Sequence, residues 1–418
     1  MNKVLLVAYK FPPFGGVGGF RWSKLAKHLA RQGNLVYVIA YDWPEGAANS
    51  LVDDVQHENI KINRVASFYP HRLKSMRLPG RILRVLRKYY FRFVDKVIFF
   101  DDEAQYWGWH LLPAVNALIE KEKINVIVAT GHPFQANYWA SVVKTRNPGL
   151  RLVQDLRDPW LLPARYGGRG WRYAVIQRRM QQALSVADTI VTVTEGLRDV
   201  YQRACPTGDV RVVYNGFDPD ICKLGRPERP VRREIVLSHI GNISNNRDLV
   251  CDLLFSAIQK LIETRSIKLR FAGSVPASIH KKYRRLFDAG VIDYLGVLSQ
   301  KEALDVVADS DFALQFNADI SPVPLSTKIY EYAALKIPVI SLNYGGEIDH
   351  LIKRHSLGYS INVKEEDVLS RLSRIFSSPV NFAFDVKEFS YDLLASQYAS
   401  ILWPGTRTDE SSHGDGPQ

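Results

Sequence analysis

The sequence contains few cysteines and no long hydrophobic run. Three of its 418 residues are cysteines, and Cys205, Cys222 and Cys251 lie far apart along the chain. An odd number of dispersed cysteines argues against both a disulfide framework and a zinc site, so we expect the protein to reside in the reducing cytoplasm. Every apolar run is shorter than the ~20 residues that a membrane-spanning helix requires. We therefore expect any membrane contact to be peripheral.

Acidic residues are too few to balance the basic ones. The chain has 55 lysines and arginines against 43 aspartates and glutamates, which gives a formal net charge of +12. This excess favours a polyanionic partner, which can be a nucleic acid, an anionic membrane or a phosphate-rich ligand. Because no recognisable nucleic-acid-binding module is present, we do not expect nucleic acid to be that partner.

Short β-branched runs alternate with stretches of helical periodicity, a pattern typical of α/β proteins with parallel sheets. In the first half, strands are predicted at 4–9, 35–41, 60–65, 124–130, 152–155, 189–193 and 210–214. In the second half, they are predicted near 234–240, 268–272, 291–295, 312–316 and 338–342. Each set is sufficient for one Rossmann-like domain, and 418 residues exceed what one hydrophobic core usually organises.

Residues 217–233 are rich in proline and glycine and have the composition of a linker, so we place the domain boundary there. The predicted parts are a first domain at 1–216, a second domain at 217–385, a C-terminal helix at 386–404 that crosses back to the first domain, and a disordered tail at 405–418.

A glycine-rich turn follows the first predicted strand and contains Gly15 and Gly16. Glycines let the backbone approach a ligand closely, and the next helix offers free amides to an anion or to sugar hydroxyls. The alternative is a loop without a ligand, but the carboxyl end of a strand is where α/β sheets bind ligands. The spacing does not match the dinucleotide fingerprint, which disfavours NAD.

A second candidate segment is 326–334. Ser326 or Thr327 can cap a helix, and Lys328 can add a positive charge for a diphosphate. Glu331, one turn further on, can accept hydrogen bonds from two ribose hydroxyls. The alternative is a capped surface helix with a weak Lys328–Glu331 pair.

A third candidate segment, 239–247, follows the first strand of the second half. Asn242 lies in the turn beside a glycine, and Arg247 stands at the start of the next helix, where it can form a second clamp on the same diphosphate. The alternative is a polar loop with a solvated arginine.

Together these segments resemble the family 4 glycosyltransferases of the GT-B fold, in which two Rossmann-like domains face each other across a cleft. The resemblance rests on Phe11-Pro12-Pro13, Gly15-Gly16, Arg21, Asn215-Gly216-Phe217-Asp218, Lys328, Glu331-Tyr332 and Pro338-Val339-Ile340. The segment Asp155-Leu156-Arg157-Asp158-Pro159-Trp160 is similar to one common in members that build bacterial surface polysaccharides.

The resemblance implies retaining transfer of a hexosyl group from a nucleotide-sugar donor, with no cofactor and no obligatory metal. By position, the donor would be bound by Gly15, Gly16, Asn242, Arg247, Ser326, Thr327, Lys328 and Glu331. His132, which follows a predicted strand, is similar to a histidine that contacts the transferred sugar, and it joins Glu331 as a catalytic candidate. The alternative for His132 is a structural histidine.

One departure from the family concerns a second acid. The family often carries two glutamates separated by seven residues, but Val323 occupies the position that corresponds to the first one. Asp319 lies nearby, and the sequence does not assign it the role.

The expected function is sugar transfer to a glycan or lipid-linked acceptor in bacterial cell-surface polysaccharide synthesis. One alternative is a nucleotide-sugar epimerase of the same fold, which would turn over the donor without an acceptor. Another is a relative that binds the donor and catalyses nothing.

Residues 72–96 contain nine lysines or arginines against one acid, interleaved with aliphatic and aromatic residues. Helical spacing after Pro79-Gly80 would place Arg81, Arg84, Lys88, Arg92 and Lys96 in one basic stripe. Such a helix favours an anionic membrane surface as a further partner, at the inner face of the plasma membrane. The alternative is a helix whose apolar face packs on the domain while its cations are solvated.

Overall fold

The computed structural model describes residues 1–43, 50–161, 170–224, 234–243, 247–317, 325–378, 382 and 386–405. The chain divides into two units. Unit 1 comprises Met1–Thr192, Val200–Val213 and the residues from Leu394 onward, and unit 2 comprises Val193–Asp199 and Tyr214–Leu393.

Unit 1 contains a parallel sheet of seven strands in the order β3-β2-β1-β4-β5-β6-β7. The strands are β1 Lys3–Val7, β2 Leu35–Tyr41, β3 Ile60–Val65, β4 Val126–Gly131, β5 Arg151–Leu156, β6 Thr189–Thr192 and β7 Val210–Val212. The central strands β1 and β4 are almost entirely buried, as is typical of a parallel sheet with both faces covered.

The helices of the first half of the chain connect these strands. They are α1 Val17–Arg31, α2 Ser50–Asp54, α3 His71–Ser75, α4 Arg81–Phe93, α5 Gly108–Glu122, α6 Gln135–Arg146, α7 Trp171–Ser185 and α8 Glu195–Ala204. A short π-helix, Val94–Ile98, continues α4.

Unit 2 contains a parallel sheet of six strands in the order β10-β9-β8-β11-β12-β13. The strands are β8 Ile235–Ile240, β9 Ile267–Ala272, β10 Ile292–Gly296, β11 Phe312–Phe316, β12 Val339–Asn343 and β13 Gly358–Asn362. The helices of the second half of the chain are α9 Asp248–Leu261, α10 Ala277–Lys282, α11 Arg284–Asp288, α12 Gln300–Ala308, α13 Lys328–Ala334, α14 Glu347–Arg354, α15 Val368–Phe376 and α16 Tyr391–Leu402. Most of α16 belongs to unit 1. The predicted pair of Rossmann-like units is confirmed.

Residues 217–224, at the start of the predicted linker, form ordered structure in unit 2. Phe217 is buried, and it exchanges backbone hydrogen bonds of 3.0 Å with Phe389 and Tyr391. A short 3-10 helix, Pro219–Leu224, follows. Residues 225–233, and all but the first residue of the predicted tail, lie outside the described residues.

A buried ion pair joins α1, β5 and α16 inside unit 1. Arg21 Nε lies 3.1 Å from Asp155 Oδ2, and both side chains are fully buried. Arg21 Nη2 also donates to the Val213 carbonyl at 2.8 Å, and the Tyr398 hydroxyl donates to Asp155. Removal of one member would leave an uncompensated buried charge, so this pair couples the last helix to the sheet of unit 1.

Among the described helices, none is both long and apolar enough to cross a membrane. This finding agrees with the shortness of the apolar runs in the sequence.

Candidate functional site

Three glycine turns meet at the carboxyl edge of the unit 2 sheet. Gly241, Gly273 and Gly296 stand at the ends of β8, β9 and β10, with φ angles of 113°, 129° and 69°. The Gly241 amide donates to the Ala272 carbonyl and the Gly273 amide to the Gly296 carbonyl, both at 2.6 Å. An added Cβ at Gly273 would overlap the backbone of Gly241, so this close approach requires glycine. The turn after β8 lies beside the point where the strand order reverses, which is where α/β sheets bind ligands.

Lys328, the first residue of α13, places its ammonium group against this edge. An added Cβ at Gly241 would overlap Lys328 Nζ, so the ammonium lies directly on the glycine. Burial and then the positive charge of Arg247 lower the pKa of Lys328 to about 8, although Glu331 opposes the shift. Lys328 and Arg247 are therefore neighbouring cations, and a bound anion would relieve their repulsion.

Arg247 stands at the N-cap position of α9. Its Nε atom is buried and has no hydrogen-bond partner among the residues that the structure describes. A buried donor without an acceptor costs roughly 1–3 kcal/mol, and a guanidinium matches a phosphate group in geometry and charge. The pair formed by Arg247 and Lys328 thus suits a phosphate or diphosphate.

Glu331 lies one turn after Lys328 on α13 and is buried. Gln300 Nε2 donates to Glu331 Oε1 at 3.0 Å. Gln300 is the first residue of α12, whose start is fixed by a capping box between Ser299 and Glu302. The capped helix therefore positions the amide that orients the Glu331 carboxylate.

His132 belongs to a charged cluster in unit 1. It follows β4, and its Nδ1 atom lies 3.4 Å from Lys10 Nζ, which also lies 2.9 Å from Glu103 Oε1. Burial raises the pKa of Glu103, but the charges of Lys10 and His132 outweigh burial and lower that pKa to about 2. The cluster presents two basic groups and a carboxylate at the carboxyl ends of β1 and β4.

The glycine-rich turn after β1 lies beside this cluster. Gly15 is exposed, and Gly16 is the N-cap residue of α1. Arg157 links this turn to the end of β4, because it donates to the Gly18 carbonyl at 3.1 Å and to the Gly131 carbonyl at 3.0 Å. The segment that begins at Asp155 thus holds both loops in place.

Comparison with known protein families supports the predicted resemblance. Residues 21–221 match the family model described as Glycosyltransferase Family 4. This match supports the predicted resemblance to the family 4 glycosyltransferases over that region. No curated protein matches the sequence of this glycosyltransferase.

Solved structures resemble the whole glycosyltransferase chain. The lipopolysaccharide outer core galactosyltransferase WaaB matches at 12% identity and a TM-score of 0.61, with 95% of this chain and 98% of that one covered. The catalytic domain of starch synthase IV from Arabidopsis thaliana, bound to ADP and acarbose, matches at 13% identity and a TM-score of 0.62, with 96% of this chain and 98% of that one covered. A UDP-N-acetylglucosamine 2-epimerase matches at 12% identity and a TM-score of 0.58, with 100% of this chain and 99% of that one covered. Likeness at this identity shows the fold alone, and the predicted GT-B fold is confirmed.

The predicted helix cap is wrong. Thr327 stands at the N-cap position of α13 with helical backbone angles, and its side chain makes no capping hydrogen bond. Ser326 precedes it, and both lie next to Lys328. Because α13 has only seven residues, the cations rather than the helix terminus carry the anion-binding potential.

The structure describes the predicted donor-binding residue Asn242, but it does not describe the region of the second family acid. Asn242 is exposed, and its Oδ1 atom accepts a hydrogen bond of 3.0 Å from the Ser274 amide, so it braces the turn between β8 and β9. Val323 and Asp319, which bear on the second acid of the family, lie outside the described residues.

Sequence reasoning missed Gln300 and did not assign a role to His239. The Nδ1 atom of His239 lies 3.0 Å from the Leu314 carbonyl and must therefore donate, which leaves Nε2 as a buried acceptor. Among the described residues, Nε2 has no partner. Burial and then the charge of Lys328 lower the pKa of His239 to about 3, so this histidine is neutral. No spacing in the sequence marks either residue, because both act through contacts with distant segments.

Proposed function

We propose that this glycosyltransferase moves a hexosyl group, with retention of configuration, from a nucleotide-sugar donor to a glycan or lipid-linked acceptor. The acceptor would be an intermediate of a bacterial cell-surface polysaccharide, and the protein would act in the cytoplasm at the inner face of the plasma membrane. The observation that carries the proposal is the pair of neighbouring cations, Arg247 and Lys328, at the ligand-binding edge of a family 4 protein.

In this proposal, unit 2 binds the donor. Arg247 Nε and Lys328 Nζ donate to the diphosphate, whose negative charge keeps Lys328 protonated. Glu331, oriented by Gln300, accepts hydrogen bonds from the ribose hydroxyls. Asn242, Ser326 and Thr327 line the same edge.

As the bond to the sugar breaks, negative charge grows on the departing nucleotide diphosphate. Fixed cations at that position stabilise the transition state more than the ground state. Because Arg247 and Lys328 supply this positive charge, we propose that no metal ion and no other cofactor is obligatory.

Unit 1 would contribute the groups that contact the sugar. We propose that His132, held beside Lys10 and Glu103, donates to or accepts from hydroxyls of the transferred sugar, and that the Gly15 and Gly16 turn approaches the donor. The acceptor would bind on this unit.

The donor proposal is tested with Arg247→Met. Nucleoside diphosphates (UDP, GDP and ADP) are titrated into wild type and variant by calorimetry. We expect the best wild-type ligand to bind the variant at least roughly 10-fold more weakly, because a hydrogen bond to a charged group contributes about 1.5–3 kcal/mol.

Arg284→Met is the matched control, because Arg284 is an exposed arginine of unit 2 that pairs with Asp288, one turn further along α11. It should bind as wild type does. Equal binding by Arg247→Met and wild type would refute the proposed diphosphate site.

The epimerase alternative is separated by its products. A transferase releases nucleotide from its donor at full rate only when an acceptor is present. Conversion of the donor to its epimer without any acceptor would instead support the epimerase, and tight donor binding without any turnover would support a non-catalytic relative.

A further inference from the structure

Helix α4 presents its apolar face to solvent. Ile82, Leu86, Tyr89 and Phe93 share one face of the helix by their spacing, and their side chains are 76%, 59%, 63% and 56% exposed. A helix of a globular protein normally buries such a face. The alternative in which this face packs on its own domain is therefore wrong for these four residues.

The attachment of α4 explains this orientation. Within the helix, Phe91 is the buried residue, and it joins a small cluster with Tyr69, Val94 and Phe99. Phe91 lies on the side of the helix opposite Ile82, Leu86 and Phe93, by the helical repeat of 3.6 residues. Unit 1 thus holds the polar side of α4 and directs the apolar side outward.

Cations border the outward face. Arg81, Arg84, Lys88 and Arg92 are exposed and follow one side of α4, as the sequence predicted. By the helical repeat, Arg92, Arg81 and Lys88 lie about 60°, 80° and 100° around the helix from Tyr89, whereas Arg84 lies further round, towards the side of Phe91. The first three cations therefore flank the apolar face, where they can reach the phosphates of lipid headgroups while the apolar side chains enter the acyl region.

The apolar surface continues beyond α4. Val97 and Ile98, in the π-helix that follows, are exposed, and the exposed Trp171 at the start of α7 contacts the ring of Phe100 at 5.1 Å. The Arg172 guanidinium lies 5.3 Å from the Trp171 ring. Tryptophan beside a cation is typical of the membrane interface. We define the outward surface as Ile82, Leu86, Tyr89, Phe93, Val97, Ile98 and Trp171.

We propose that the outward surface docks unit 1 on an anionic lipid bilayer. The positive charge of α4 favours an acidic bilayer over a second copy of the chain as the partner of this surface. The cations of α4 would attract acidic lipids and would repel an identical surface. The inference deepens the proposed function, since it names the membrane as the place where a lipid-linked acceptor is met.

Vesicle flotation tests the proposal independently of sugar transfer. The full chain is mixed with vesicles of phosphatidylcholine, alone or with phosphatidylglycerol, without any nucleotide. We expect binding to the anionic vesicles, weakened by salt, and little binding to the neutral ones. Absence of binding to the anionic vesicles would overturn the inference and would leave the donor-site proposal intact.

Two double variants separate the apolar and the charged contributions. Leu86→Gln with Phe93→Gln should weaken binding by roughly 100-fold, because two inserted side chains are lost. Lys88→Gln with Arg92→Gln should weaken it by roughly 30-fold and reduce its salt dependence. All four side chains are exposed, so the thermal unfolding curves should match that of wild type.

The matched control replaces two exposed apolar residues of unit 2, with Val297→Gln and Leu393→Gln. Its vesicle binding should equal that of wild type. Light scattering of the proteins without vesicles tests the alternative partner, a second copy of the chain. A wild-type dimer that becomes a monomer in the Leu86→Gln, Phe93→Gln variant, without vesicle binding by either protein, would overturn the proposal.

Discussion

Replacement of Lys328 by methionine should stabilise the protein while it abolishes donor binding. Methionine retains the length and apolar stem of lysine but removes the ammonium group that lies on Gly241 beside Arg247. A lysine that served only packing or a surface ion pair would not show this combination. The variant therefore discriminates a ligand-binding cation from a structural one.

The pKa of Lys328 sets the magnitude. It is about 8 in the folded protein against 10.5 for an ordinary lysine. Each pKa unit corresponds to about 1.4 kcal/mol, so the charged form costs the folded state about 3 kcal/mol. The folded state binds fewer protons than the unfolded state between these two pKa values, so this cost is fully present below pH 8 and declines as the pH rises toward 10.5.

We therefore expect Lys328→Met to raise the free energy of unfolding by up to about 3 kcal/mol at neutral pH, and by less as the pH rises above 8. Urea titrations at several pH values measure this difference. Nucleoside diphosphate binding by wild type should weaken by about tenfold for each pH unit above 8, because only the protonated lysine binds well. A variant that is less stable than wild type at neutral pH and binds nucleotide equally well would refute the reasoning.

Two further predictions concern other buried contacts. Asp155→Asn should lower the free energy of unfolding by about 3–5 kcal/mol, because Arg21 would remain buried without its counter-ion. The control Asp288→Asn, on the surface, should change it by less than about 1 kcal/mol. If urea titrations gave a similar effect for both variants, the importance of the buried pair would be contradicted. Gln300→Leu should weaken nucleoside diphosphate binding by about tenfold in calorimetry, because it disturbs the orientation of Glu331, which contacts the ribose in the proposal. The binding of inorganic pyrophosphate, which has no ribose, should be unchanged. An equal loss of affinity for both ligands would show that Gln300 does not act through the ribose.

Much of the fold could be predicted from the sequence, because buried parallel strands are nearly continuous apolar runs. Every strand of unit 1 overlaps a predicted one. In unit 2, β13 was missed, since Gly358–Asn362 is a half-exposed edge strand with alternating polar residues. Its dependence on β12 is visible only in three dimensions, where an added Cβ at Gly358 would overlap the Val339 backbone.

The candidate site was only partly accessible from sequence. Arg247 could be predicted because it lies at the start of the helix that follows β8, and Lys328 because it lies at the start of the helix that precedes β12. The contact between Gln300 and Glu331 could not, because it depends on how α12 and α13 lie against each other. Periodicity likewise identified the apolar face of α4 but not its direction, which depends on the packing of Phe91 against unit 1.

The contact between Tyr398 and Asp155 spans 243 residues of sequence. During translation, the sheet of unit 1 emerges from the ribosome long before α16, and all the strands of unit 2 are made in between. Until the last helix arrives, Asp155 lacks one of its buried donors and Trp22 lacks the ring of Tyr398 that it contacts at 5.0 Å. Contacts between distant parts of a chain are slow to form. The nascent first half must therefore wait, with an incomplete interior, for the second half to be synthesised.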